Sequence, residues 1–278
     1  MVSMSVVSTE WVSKHLADPS VTIVEVNTDS DKGYNTGHIP GALLWNLHVD
    51  LEDEVRRDIP GISKMEKLFS SSGITNNTTI VLYGDGNNRS ATWAFWVLKI
   101  YRHENVRIMD GGRKKWLIEG RQISHLTPSI EFNRYKIIAP DFSIRATKDH
   151  ILRRLGDSKL QILDTRTHEE FTGVYSSSSD KEQTAIYRAG RIPGAVHVPW
   201  DDGTTENGLF RPVDQLKDLY SESGISSSEE VVTYCRLGVR ASYTWFVLKY
   251  LLKFPYVKNY DGSWTEWGNA TNVPIERG

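Results

Sequence analysis

An α/β fold made of two tandem copies of one domain is predicted by three observations. The first is internal repetition. Ser72-Gly73-Ile74 returns as Ser223-Gly224-Ile225, and Asp110-Gly111 with Trp116 returns as Asp261-Gly262 with Trp267, both 151 residues further on. Gly37-His38-Ile39-Pro40-Gly41-Ala42 returns as Gly190-Arg191-Ile192-Pro193-Gly194-Ala195 after 153 residues. The second is an alternation of short apolar runs with amphipathic stretches, the pattern of a mainly parallel sheet flanked by helices. The third is length: 278 residues suit two domains at roughly 100–200 residues each. The first copy is assigned to residues 1–125 and the second to 143–278, with a linker at 126–142 where Pro128 and Pro140 interrupt any regular pattern.

Within the first copy, Val21–Val26 and Thr79–Tyr83 read as buried strands, and in the second so do Leu160–Asp164 and Val231–Tyr234. Ile23-Val24-Glu25 faces Ile162-Leu163-Asp164 at an offset of only 139, so the second copy carries an insertion of 14 residues. Its polar tract Tyr175–Lys181 is expected in that extra surface loop. Ala241–Leu252, with Trp245, Leu248 and Leu252 three and four apart and no Gly or Pro, reads as the clearest helix. His197, in an alternating strand, reads as a core histidine, although with Arg191 and Trp200 it could also line the mouth of a site. Trp264 and Trp267 read as packing.

Composition narrows the function. A formal net charge of -2 gives no basic field for nucleic acid. No apolar stretch approaches the ~20 residues that span a bilayer, and Met1–His15 has no signal-peptide pattern, so no membrane partner and a cytoplasmic location are expected. The eight histidines show no metal spacing, and Gly111-Gly112-Arg113-Lys114-Lys115 lacks the Gly-Lys-Ser/Thr ending of a phosphate loop, so neither metal nor cofactor is expected.

The one cysteine, Cys235, follows the strand Val231–Tyr234 and opens Cys235-Arg236-Leu237-Gly238-Val239-Arg240 before a helix. Strand carboxyl ends are where parallel sheets gather their sites. A loop closing onto a helix start turns backbone N–H groups inward, with the positive end of the helix dipole behind them, and so favours an anion such as a thiolate. Arg236 and Arg240 add positive charge, and Gly238 permits the tight turn. An inert buried cysteine is the blander reading, but two arginines beside it would be costly without a compensating anion. Asp164 and Arg166, at the end of a neighbouring strand, reach the same rim; Asp164 either orients the loop or is an ordinary turn carboxylate. The first copy has Gly84-Asp85-Gly86 at the corresponding place, without a nucleophile and with a carboxylate that repels anions, so only the second copy is equipped for chemistry.

Cys235–Arg240 followed by Thr244–Leu248, the tail Asn259–Asn269, and Gly190–Ala195 with Val198-Pro199-Trp200 resemble the tandem-domain rhodaneses, thiosulfate sulfurtransferases, over nearly the whole chain. The resemblance implies two rhodanese-like domains, the first catalytically silent, and a persulfide on Cys235. Thiosulfate would be the donor, and cyanide or a thiol the thiophilic acceptor. The substrate would be held by Arg236, Leu237, Gly238, Val239 and Arg240, with Asp164, Arg166, Arg191 and Trp200 in support. Mercaptopyruvate sulfurtransferases of the family typically carry a neutral Cys-Gly-Ser-Gly-type loop, so the arginines favour thiosulfate; mercaptopyruvate transfer and a non-turnover persulfide carrier stay open. Cysteine phosphatases place five residues between cysteine and arginine, against four here, a ring too small for phosphate.

Overall fold

Among the described residues nine strands form two sheets, each entirely parallel. The computed structural model describes residues 5–53, 58–174 and 186–278; the polar tract Tyr175–Lys181 lies outside them. The chain divides into one unit of Met1–Phe142 with Thr205–Phe210, and a second of Ser143–Thr204 with Arg211–Gly278.

In the first unit the strands are β1 (Val6–Val7), β2 (Val21–Asn27), β3 (Leu43–Asn46), β4 (Thr79–Tyr83) and β5 (Val106–Met109), in the order β1-β5-β4-β2-β3. In the second they are β6 (Leu160–Asp164), β7 (Val196–His197), β8 (Glu230–Tyr234) and β9 (Val257–Asn259), in the order β7-β6-β8-β9. The repeat maps β2, β3, β4 and β5 onto β6, β7, β8 and β9. The counterpart of β1 shrinks to one parallel bridge, Arg145 to Asn259, where the first unit pairs Val6 with Ile108. Both units thus share one topology. The strand predictions Thr79–Tyr83 and Leu160–Asp164 match in full, because runs buried on both faces leave little freedom in their ends.

Each sheet packs an apolar layer. In the second unit Ile151, Ile162, Val232, Tyr234, Trp264 and Trp267 form one cluster, so both tryptophans are core, as expected. In the first unit Val12, Ile23, Val81, Tyr83 and Trp116 do the same. The helix after β8 begins earlier than its apolar pattern implies, at Val239, and is α-helical only to Phe246; Val247–Leu251 is a π-helical turn. The wider turn stacks Phe246 on Tyr250 at 5.5 Å while Trp245 meets the same ring edge-on at 5.5 Å. A 3.6-residue pattern cannot announce that local widening.

Candidate active site

In the second unit the chain leaves β6 toward β7 on one side and β8 toward β9 on the other. The crevice beyond such a reversal is where open parallel sheets bind ligands. Cys235 stands there, immediately after β8, as a free cysteine with 1% of its surface exposed. The loop turns back at Gly238, whose φ of 85° is the left-handed conformation that glycine adopts without penalty. This turn lets the Gly238 N–H donate to Cys235 Sγ at 3.1 Å, at the start of the helix Val239–Phe246.

The next loop fixes the cysteine from behind. Ser263 Oγ accepts from the Cys235 N–H at 3.1 Å and donates to Tyr260 O at 2.7 Å. Trp264 N–H donates to Cys235 O at 3.0 Å, and Thr265 holds Arg236 O through its N–H at 3.0 Å and its hydroxyl at 2.8 Å. Ser263 takes φ 50°, a left-handed position that costs a non-glycine residue about 1 kcal/mol or more. Gly112, its counterpart in the first unit, has φ 53°.

Beneath the loop lies a buried polar network. Asp164, fully buried, accepts from Arg166 at its backbone N–H (3.0 Å), Nε (2.9 Å) and guanidinium (2.6 Å), and from the Tyr234 hydroxyl. Arg166 also donates to Gly190 O at 2.8 Å and lies over the rings of Trp264 (4.5 Å) and Tyr234 (5.5 Å). Burial opposes its charge, but Asp164 outweighs that and raises its pKa. Tyr234 precedes the cysteine, and burial next to Asp164 pushes its hydroxyl well above the ordinary tyrosine range. The first unit builds the same arrangement from different residues. Tyr83 accepts from Ile39 N–H at 3.2 Å as Tyr234 does from Ile192 N–H, and Arg113 meets the buried Glu25 at 3.3 Å. The network is present in both copies and therefore does not distinguish them.

Arg240 is not the uncompensated charge the sequence suggested. Its guanidinium makes a two-pronged ion pair with Glu170, at 2.8 and 2.9 Å. Glu170 is brought there by a capping box: Thr167 Oγ1 accepts from Glu170 N–H, and Glu170 Oε2 accepts from Thr167 N–H at 3.1 Å. Burial opposes both charges, yet the pairing lowers the pKa of Glu170 and raises that of Arg240, to which Cys235 also contributes. Arg236 is buried at 6% exposure, while Leu237 and Val239 are half-buried. Arg191 is held by Glu276 and Gly278 O and lies on the Phe171 ring at 4.4 Å, so its guanidinium anchors the end of the chain. Trp200 packs edge-on against Tyr243 at 5.4 Å. His197 donates from Nε2 to Arg166 O at 2.8 Å and stacks on Phe171 at 4.5 Å, a satisfied histidine.

Sequence reading missed Glu170, Tyr234, Ser263 and Thr265 as site residues. Thr167 and Glu170 carry the capping-box spacing, the one signal that would have marked Glu170 as fixed in place. Among the described residues no group of three or more His, Cys, Asp or Glu could hold a metal ion, and no helix is long and apolar enough to cross a membrane.

Comparison with known proteins decides the family, since the Rhodanese-like domain family matches residues 8–119 and again 147–270. The chain belongs to the rhodanese family. It is 45% identical to a protein of Thermus thermophilus named "Sulfur carrier protein TtuD", covering 98% of this chain and 96% of that one. It is 42% identical to a Saccharopolyspora erythraea protein named "Putative thiosulfate sulfurtransferase", covering 97% and 95%. Among solved structures, an anaerobic ergothioneine biosynthesis enzyme from Chlorobium limicola superposes with a TM-score of 0.87 at 24% identity, over 99% of this chain and 70% of that one, a likeness of fold. The rhodanese matches fall on the two repeats the sequence displays.

Proposed function

We propose that this rhodanese transfers sulfane sulfur from thiosulfate to a thiophilic acceptor through a persulfide on Cys235. The observation that carries the reading is the Cys235 Sγ receiving the Gly238 N–H at 3.1 Å at a helix start, beside two arginines. The Cys235 thiolate attacks the sulfane sulfur, the sulfur–sulfur bond of thiosulfate breaks, and sulfite leaves with the electron pair. Backbone amides and Arg236 hold the donor's anionic end and then the persulfide. Cyanide or a thiolate next attacks the outer sulfur, forming thiocyanate or a new persulfide and returning the Cys235 thiolate. Arg240, neutralised by Glu170, shapes the loop more than it recruits charge. No metal or organic cofactor enters these steps. A reagent thiol of this kind suits the reducing cytoplasm.

The Thermus thermophilus relative favours a second reading, a carrier that accepts sulfur and passes it to one protein partner without rapid turnover. Steady-state assays with excess thiosulfate and cyanide separate the two, since a carrier gives one equivalent per chain. Mass spectrometry after thiosulfate treatment should find one added sulfur, on Cys235, and none in Cys235→Ser. Undiminished transfer by that variant would falsify the assignment.

A further inference from the structure

In the first unit the chain also reverses direction between β2 and β4, and a cleft of about 290 Å³ opens there. Its volume suits a small molecule, at the lower end of ligand pockets. Asn27, Asp29, Lys32, Asp85, Arg89 and Ser90 line it. The repeat places Asp85 where the second unit has Arg236, and Arg89 where it has Arg240. One of the two cations of the cysteine loop is therefore reversed in sign and the other kept.

The kept cation lacks the partner that Arg240 has. Asp31, the counterpart of Glu170, accepts from Asn35 Nδ2 at 2.8 Å, and Arg89 makes no ion pair among the described residues. Arg89 and Ser90 begin the 12-residue helix Arg89–Ile100, so the positive end of its dipole adds to the guanidinium. The opposite pole presents carboxylate and amide oxygens. Asp85 has its nearest cation, Arg113 Nε, at 3.8 Å, and that arginine is already committed to Glu25 and Gly37 O. Asp29 and Lys32 pair with each other at 3.2 Å. Asn27, the last residue of β2 and 5% exposed, gives its Nδ2 to Glu25 Oε1 at 3.0 Å, while its Oδ1 has no hydrogen-bond partner. Buried carbonyl oxygens are almost always satisfied, so this one calls for a donor.

We propose that this cleft binds a small zwitterion, an α-amino acid, with its ammonium toward Asn27 and Asp85 and its carboxylate on Arg89 at the helix N-terminus. A simple anion would meet the Asp85 carboxylate, and a simple cation would meet the Arg89 guanidinium. Gly33 keeps the neighbouring chain close: a Cβ there would stand 2.7 Å from Asn27 Nδ2 and 3.2 Å from Asp85 Oδ2. The site is independent of sulfur transfer at Cys235.

The test is calorimetric titration of the full-length protein with L-amino acids of graded size, and with ethylamine and propionate as the two halves of alanine. Amino acids should bind, and each half should bind at least about ten-fold more weakly, the worth of one charge-assisted contact. Asp85→Asn and Arg89→Ala should each weaken amino-acid binding by about ten-fold or more, Arg89→Lys should restore part of it, and Arg236→Ala should leave it unchanged. The proposal is overturned if no amino acid binds, if propionate or thiosulfate binds as well as alanine, or if Asp85→Asn leaves the affinity unaltered. Loss of binding in Arg236→Ala would place the ligand at the cysteine loop and overturn it too.

Discussion

Glu170 shows how one side chain ties local structure to chemistry. Its carboxylate completes the cap of the helix His168–Thr172 and holds Arg240 at 2.8 and 2.9 Å, so the loop after Cys235 is braced from another segment of the unit. Removing one partner of a buried pair strands the other, and Glu170→Gln should destabilise the protein by roughly 3 kcal/mol, measured by denaturant unfolding. Thiosulfate turnover should fall with it, while Glu170→Asp keeps part of both. The same pair sets an acid limit. Burial opposes the Glu170 charge but Arg240 prevails, so its folded pKa lies below the ordinary value. A depressed carboxylate contributes stability that is fully present above its unfolded pKa, about 4.3, and is lost as pH falls through the lower folded value. Glu170→Gln should therefore flatten the acid side of the stability profile, and an unchanged slope would show that the pair contributes nothing to folding. Neutralising Arg236 to Met should cut thiosulfate kcat/KM by about ten-fold to a hundred-fold. Mercaptopyruvate use should fall less, and an equal fall would mean that Arg236 shapes the loop without choosing the donor.

At the scale of elements, the cysteine loop is a product of two turns with left-handed residues, Gly238 in its own and Ser263 in the next. The hydroxyl of Ser263 is what the strained position supplies, since it accepts the Cys235 N–H at 3.1 Å. Ser263→Gly should relieve strain and raise Tm while slowing the alkylation of Cys235, whereas Ser263→Ala should slow alkylation without that gain; equal alkylation in all three proteins would remove Ser263 from the cysteine's support. Much of this element was readable in advance. The strand, the cysteine and the glycine turn sit in consecutive residues, and local sequence specifies local backbone. Glu170, Ser263 and Thr265 were not readable, because their partners lie 70, 28 and 29 residues away and only the fold joins them. The partner of Arg191 was not readable for the same reason: Glu276, 85 residues on, takes its guanidinium, and nothing near Arg191 announces that carboxylate. The capping box Thr167–Glu170 is an instructive middle case, since its spacing fixes where the carboxylate stands but not what else it holds.

Across the whole molecule, duplication has produced two sheets of one topology and two loops of opposite character. The difference goes deeper than the missing nucleophile. The counterpart of Cys235 is Gly84, which follows β4 as the cysteine follows β8. A Cβ built on Gly84 would lie 2.5 Å from the backbone oxygen of Val26, a contact that side-chain rotation cannot relieve. Nor is the loop interior the same: Asn88, at φ 64°, accepts the Gly84 N–H at 3.0 Å and donates to Met109 O at 2.7 Å, and so occupies the turn where Ser263 serves the cysteine from outside its loop. Gly86, Asn87 and Asn88 all take positive φ, against Gly238 alone in the second loop. The first loop thus lacks room for a thiol side chain as well as lacking the cysteine. It follows that placing the thiol there should not confer activity. Gly84→Cys in a Cys235→Ser background should remain without thiosulfate transfer, gain no sulfur detectable by mass, and unfold with about 1–3 kcal/mol less stability, as expected for an atom forced against a fixed backbone. Cys235→Ser alone provides the reference for both measurements. Should the double variant form a persulfide and turn over, the two loops would be interchangeable cradles, and the asymmetry between the copies would reduce to one side chain.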